Sequence, residues 1–348
     1  MKVRRIFKSP LFSLFVVTII MWIIQRKNNI SRKALVYFCS GDIHCNGWGD
    51  RVKGIVTGYV IAQMTGRTFK IYMPRKPCNI TLMLQPATID WLPNKREVNL
   101  SNYFILGMGS RSSNKQLLLV ENPESFPRIV QYLSNIHLLP RLRTYDSFPK
   151  SLSVLSDAQI YKKAYDELFK VTPLLNKPLE ELLKIKHKQL HCIQLRFTKG
   201  GKSKGAFESE MLTESLPKFF AFMRSLSNGK PATYFVASNG IHAIVEGRRT
   251  FGKNFLETPG KPSHIDQVFK CMGLEKVILD IEVLRRCDSL ILSDCGISFI
   301  AAFLREKGDS NLFCINYSRN IGRNAGDLIV RCNLTNIPYF YMKGRRNW

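Results

Sequence analysis

The chain has 348 residues, 45% of them hydrophobic, which is enough apolar material for two packed domains and excludes an intrinsically disordered protein. Its 52 Lys and Arg against 26 Asp and Glu give a formal net charge of +26, yet the cations run from Lys2 to Arg346 without a dominant block. That spread argues against a dedicated nucleic-acid binder and for a basic protein that handles phosphates or anionic surfaces. Nine cysteines without paired C-x-x-C spacing, and no clustered histidines, argue against a zinc site.

Lys2, Arg4, Arg5 and Lys8 precede an uncharged apolar run from Pro10 to Ile24, which ends at Gln25-Arg26-Lys27. The run is short against the roughly twenty residues of an average transmembrane helix but tolerable in the thinner membranes of the early secretory pathway. No small-x-small cleavage pattern follows it; Trp22, Ile23 and Ile24 stand there instead, so an uncleaved signal anchor is expected rather than a cleaved signal peptide. Flanking positive charges balance and leave the orientation open. Glycosylation acceptors at Asn29, Asn79, Asn99, Asn316 and Asn333, together with the cysteines, suit a type II protein of the Golgi or endoplasmic reticulum membrane. Its parts would be a cytoplasmic tail (1–9), the anchor (10–24), a short stem (25–34) and a lumenal body.

Leu35 to Phe38 predicts a buried strand. A Cys- and Gly-rich loop follows, ending in Gly47-Trp48-Gly49-Asp50-Arg51, and then a helix whose Val52, Ile55, Val56, Tyr59, Val60 and Met64 recur at spacings of three and four. Phe69 to Met73 returns as a strand. A strand feeding a glycine loop that opens a helix is the first unit of a nucleotide-binding α/β domain, because N–H groups at a helix start attract an anionic or polar ligand. Pro74, Pro77, Pro86 and Pro93 then punctuate an irregular stretch. Ser125 to Leu133 and Ser156 to Lys170 predict helices, the second capped by Ser156 or Asp157. Thr172-Pro173 and Lys177-Pro178 interrupt the pattern before a further helix over Leu179 to Lys186. A boundary among these prolines and charges divides the body into an N-terminal domain, 35–175, and a C-terminal domain, 176–348.

The second half alternates more regularly. Strands are expected at Cys192 to Phe197, Thr233 to Ala237, Ser289 to Leu292 and Leu312 to Ile315. Helices are expected at Met211 to Leu226, Ile241 to Arg249, Asp266 to Met272, Lys276 to Arg286 and Ser298 to Glu306. This alternation predicts a parallel sheet covered on both faces, and the chain as a whole predicts an α/β protein of two Rossmann-type domains facing a cleft.

Three places lie at the carboxyl ends of expected strands, the edge where open α/β sheets bind ligands. Arg196, before the loop Thr198-Lys199-Gly200-Gly201-Lys202, can hold a diphosphate bidentately and neutralise a leaving group; a solvated strand end is the plain alternative. Ser238-Asn239 offers either ligand contacts or a cap for the helix from Ile241. In the run Asp280 to Phe299, the turn into Ser298 is a plausible anion cradle, and a buried Asp280 can accept both edge protons of a guanine. A helix charge on a solvated face is the alternative for Asp280.

Gly47-x-Gly49-Asp50-Arg51 with Gly54 and Gly66-Arg67, Arg196, and Asp280 to Phe299 continuing to Glu306 resemble, in that order, the motifs of the superfamily that joins α1,2-, α1,6- and protein O-fucosyltransferases. The resemblance covers most of residues 35 to 315. It implies a GT-B architecture and a metal-independent, inverting transfer of fucose from GDP-fucose, the donor substrate, to a glycan or glycoprotein hydroxyl, with no cofactor. It further implies that Arg196 contacts the β-phosphate, Ser298 and Phe299 the phosphate-binding turn, and Asp280 the guanine, with Ser238, Gly47 and Gly49 also at the donor site. Asp50, facing the sugar and acceptor across the cleft, would be the catalytic base. Three positions depart from the family pattern: Gln194 where His is usual, Asn239 where Asp is common, and Asp50 where Asn is commonest. Those departures keep a second reading open, a membrane-anchored relative that binds glycan or nucleotide without turnover. The absence of any Asp-x-Asp in the sequence independently favours metal independence.

Overall fold

The structure, a computed structural model, describes residues 33–39, 45–74, 79–99, 104–107, 113–184, 188–197, 204–262, 272–316, 328–335 and 337. The apolar run 10–24, most of the stem and all but Met272 of the helix expected at Asp266 to Met272 lie outside the described residues. Among the described residues no helix is long and apolar enough to cross a membrane.

The uninterrupted apolar run Ala34–Phe38 forms β1, buried on both faces as such a run requires. Helix α1 (Trp48–Met64) starts inside the glycine loop, with Gly47 as its N-cap, and leads to β2 (Thr68–Tyr72). The proline-punctuated stretch holds β3 (Leu84–Pro86), and β4 (Phe104–Gly107) and α2 (Ser113–Glu121) follow it. Residues 129–134 then form a strand, β5 (Ile129–Ser134), where a helix over Ser125 to Leu133 is expected from sequence. A short run such as Ile129-Val130-Gln131-Tyr132-Leu133 satisfies either pattern, and its β-branched and aromatic content suits the place it takes between β1 and β4. The first sheet is ordered β2-β1-β5-β4 and is parallel throughout.

Helix α3 (Asp157–Leu168) is capped by Ser156, which forms a reciprocal capping box with Gln159. It runs into β6 (Phe169–Val171), which pairs antiparallel with β3. The interruption expected at Pro173 and Pro178 does not occur: α4 (Pro173–Leu182) begins at the first proline and passes through the second. Pro173 stands at the first helical position, where no N–H is needed, while Leu175 and Leu179 anchor the buried face.

The second half follows the expected alternation. It comprises β7 (Gln189–Leu195), α5 (Lys204–Ser225), β8 (Ala232–Ser238), α6 (Ile241–Phe251) and β9 (Phe255–Leu256). After these come α7 (Met272–Leu284), β10 (Ser289–Leu292), α8 (Gly296–Phe303), β11 (Leu312–Ile315) and β12 (Ile329–Arg331). Its six strands are ordered β12-β11-β10-β7-β8-β9, and only β12 runs antiparallel to its neighbour. Disulfides join Cys39 to Cys45, Cys192 to Cys287 and Cys314 to Cys332, and Cys295 is a thiol.

One apolar core runs through both halves, from β1 and α1 to α7 and α8, and a second lies between the second sheet and α5 and α6, with Leu195, Phe219, Val236 and Phe251 among its residues. At the seam, His137 and Tyr161 of the first half pack against Phe299 and Phe303 of α8, edge-on except for the tilted His137–Phe299 pair. Arg285, immediately after α7, reaches Asp166 on α3 at 2.6 Å. The two sheets are thus held together along one side of the site.

Candidate functional site

The carboxyl edge of the second sheet opens into a cavity of about 490 Å³, counting its mouth. Gln194 and Arg196 come from the exit of β7, Ser238 and Asn239 from the exit of β8, Lys276 and Asp280 from α7, and Ile297 from the first turn of α8. This is the position that parallel α/β topology reserves for ligands, and its lining converges from two strand exits and two helices.

Three side chains shape the exits of the strands. Gln194 is buried, and its Oε1 accepts from the Ser293 hydroxyl at 2.7 Å, the Ser298 hydroxyl at 2.5 Å and the Cys295 thiol at 3.1 Å. One amide therefore knits β7 to the turn between β10 and α8. Asn239 accepts from the Phe197 N–H and donates to the Phe197 carbonyl, both at 2.7 Å, which fixes the chain immediately after Arg196. Ser238 accepts from the N–H of Gly240, the N-cap of α6, at 3.0 Å.

Between these clamps, the Arg196 backbone N–H donates to the Ser293 hydroxyl at 3.0 Å. Its half-buried guanidinium lines the cavity, and no hydrogen bond or ion pair with a described residue engages it. A positioned but uncommitted guanidinium is suited to a bidentate anion. The first turn of α8 stands nearby, its Ser298 N–H on the Cys295 sulfur and its Phe299 N–H on the Cys295 carbonyl. The Ser298 hydroxyl is spent on Gln194, and the Phe299 ring lies in the aromatic seam with Lys53 over its face.

Asp280 is buried rather than on a solvated helix face. Its Oδ1 accepts from Lys276 Nζ at 3.1 Å and from the Thr258 hydroxyl, and Lys276 also donates to Thr258 at 2.6 Å. Burial pushes the Asp280 carboxyl above the ordinary Asp range against the opposing pull of Lys276 and Thr258.

The glycine loop meets the second half by backbone contact. Gly49, in the first turn of α1, packs on Gly296, where a Cβ would come within 2.3 Å of the Gly296 carbonyl carbon. Gly47 caps α1, and the Arg51 Nε donates to the Asn46 carbonyl at 2.9 Å to close the loop. Asp50 pairs with the buried Lys53 at 2.6 Å and faces Gly296. The structure therefore gathers Arg196, Ser238 and Asp280 on one cavity, whereas Gly49 and Asp50 pack on the start of α8 at Gly296 and, with Gly47, do not line that cavity.

Lys276, Thr258 and Ser293 escape a reading from sequence. The first had a signal: Lys276 and Asp280 sit four apart in an otherwise apolar helical run, which turns both to one face. Among the described residues no group of His, Cys, Asp and Glu could hold a metal ion.

No protein-family model matches the chain, and no curated protein does. Solved structures do. The chain superposes on Arabidopsis thaliana FUT1, a variant in complex with GDP, with a TM-score of 0.57 and 12% identity over 83% of this chain and 71% of that one. It superposes on NodZ α-1,6-fucosyltransferase co-crystallised with GDP with a TM-score of 0.56 and 13% identity over 82% and 96% of the two chains. For fucosyltransferase NodZ from Bradyrhizobium the TM-score is 0.55, with 12% identity over 87% and 99%. The α/β fold of this chain is the fold of these fucosyltransferases.

Proposed function

We propose that the protein is a glycosyltransferase of GT-B architecture that moves fucose from GDP-fucose to a hydroxyl of a glycan or glycoprotein. The observation that carries this reading is the Arg196 guanidinium, held by its backbone but uncommitted at its head, on the edge of a cavity that also presents Asp280. The shared fold supports it, since the neighbours are fucosyltransferases with GDP or GDP-fucose.

In this reading Arg196 takes two oxygens of the diphosphate, and the first turn of α8 adds the partial positive charge of a helix start. As the bond between the sugar's anomeric carbon and the β-phosphate oxygen breaks, negative charge grows on that phosphate, where both groups are already placed to stabilise it. The acceptor hydroxyl attacks from the opposite face and inverts the anomeric centre. An acidic side chain must take its proton, and Asp50, at the seam with α8, is the residue proposed for that role. Charge stabilisation by Arg196 and a helix start makes a metal ion unnecessary in this scheme.

The body is proposed to be lumenal, anchored by residues 10–24 as a type II protein of the Golgi or endoplasmic reticulum membrane. The three disulfides among the described residues suit an oxidising compartment. A second reading, nucleotide binding without turnover, draws on Gln194 and Asn239, whose side chains are both committed to internal hydrogen bonds.

The test is turnover of GDP-fucose by the wild type and by Arg196→Ala, followed as GDP release with and without a glycan acceptor panel. A loss of about 10²–10³-fold in kcat is expected for the variant. Equal turnover would remove Arg196 from the chemistry, and GDP binding without turnover by the wild type would select the second reading.

A further inference from the structure

The buried lysine beside Asp280 has no part in the scheme above. Lys276 is 3% exposed, lies on the wall of the cavity, and comes within hydrogen-bonding distance of both Thr258 and Asp280. A lysine in such a place is costly to desolvate, and ion pairing alone explains it poorly, because replacing a buried pair by apolar side chains is often neutral or stabilising. An ammonium group carries three protons. Thr258 and Asp280 account for two, and one remains for an acceptor arriving in the cavity.

We propose that Lys276 reads the 6-position of the donor's purine by donating its third proton to the guanine O6, which makes it a specificity-determining residue of the site. The proposal rests on the GDP-sugar reading and adds to it. Asp280 offers acceptors and Lys276 a donor, side by side on one helix face four residues apart. The matching base edge carries two adjacent donors and then an acceptor, as N2–H, N1–H and O6 of guanine do. Adenine opposes the array twice, because its 6-amino group meets the ammonium and its bare N1 meets the carboxylate. Uracil would satisfy Lys276 through O4 but set its O2 against the carboxylate. A site built of charged partners discriminates strongly because the wrong base leaves those groups unpaired in a buried place.

Calorimetric titration with GDP and with 6-thio-GDP, in which sulfur replaces O6 while N1–H and N2–H remain, tests the proposal on the wild type without a variant. About tenfold weaker binding of 6-thio-GDP is expected. Lys276→Met, checked for folding by its thermal transition, should bind GDP about tenfold more weakly and no longer separate the two nucleotides. Equal affinities in the wild type, or a folded Lys276→Met that keeps the wild-type ratio, would overturn the role of Lys276 while leaving GDP recognition intact. No GDP binding by the wild type would overturn both.

Discussion

Gly49 and Gly296 touch through their backbones, so closely that a methyl group on Gly49 would lie 2.3 Å from the carbonyl carbon of Gly296. This contact joins the first turn of α1 to the first turn of α8, and thereby the first half of the chain to the wall of the cavity. It explains the glycine at 49 without any ligand, whereas a Cβ on Gly296 would meet only a tight contact, 3.2 Å from the Asp50 carboxylate. Gly49→Ala must push the two helices apart and should cost about 3 kcal/mol in urea denaturation, with weaker nucleotide binding because the α8 turn moves. Gly229→Ala is the contrast: its surroundings are open but its φ is +75°, so about 1 kcal/mol of backbone strain is expected and no effect on binding.

Gln194 holds the site's two strand exits together by accepting from Ser293, Ser298 and Cys295. Gln194→Leu keeps the volume but strands two buried hydroxyls. Rotation of those hydroxyls to other acceptors limits the damage, so a loss of about 2 kcal/mol is expected from chemical denaturation. Because the Arg196 N–H is bonded to the same Ser293 hydroxyl, nucleotide affinity should fall with stability. An unchanged affinity would separate Gln194 from the positioning of Arg196.

Asp280 gives the binding a pH dependence of defined sign. Burial raises its carboxyl above the ordinary Asp range, with Lys276 and Thr258 opposing. A base that donates to this carboxylate requires it charged, so GDP affinity should weaken on acidification before ordinary carboxylates titrate. The effect on stability has the opposite sign. A pKa raised on folding contributes stability below the unfolded value, and that contribution is lost as pH rises through the folded value. Both slopes should vanish in Asp280→Asn, measured by calorimetric titration and thermal unfolding between pH 4 and 8.

The Cys192–Cys287 disulfide, which closes a span of 95 residues, ties β7 to the turn that leaves α7. Those elements carry Gln194 and Arg196 on one side and Lys276 and Asp280 on the other. The double variant Cys192→Ser/Cys287→Ser should lose about 3 kcal/mol in urea denaturation. It should also bind GDP less well, which a disulfide remote from the site would not produce.

The second half was largely legible in the sequence because its strands are short apolar runs separated by long amphipathic helices. Ser289–Leu292 and Leu312–Ile315 stand where that pattern puts them, and so does the edge that carries Arg196. The first half was less legible. Ile129–Ser134 is a central strand whose run suits a buried helix equally well, and α4 continues through Pro178 because its buried Leu175 and Leu179 hold it in place. At the site, Arg196 and Asp280 announce themselves by chemistry at strand ends and in an apolar helix. The Gly49–Gly296 contact and the three-way acceptance at Gln194 join residues more than a hundred positions apart, and only the packed fold pairs them.

Thermal-shift titration of the wild type and Arg196→Ala with GDP, GDP-fucose, GDP-mannose and UDP tests the central claim most directly. Stabilisation by the guanine nucleotides over UDP is the predicted result, reduced about tenfold in apparent affinity in the variant, since a charge-assisted bidentate contact is worth at least that much. A preference for UDP, or no response to any GDP compound, would contradict it.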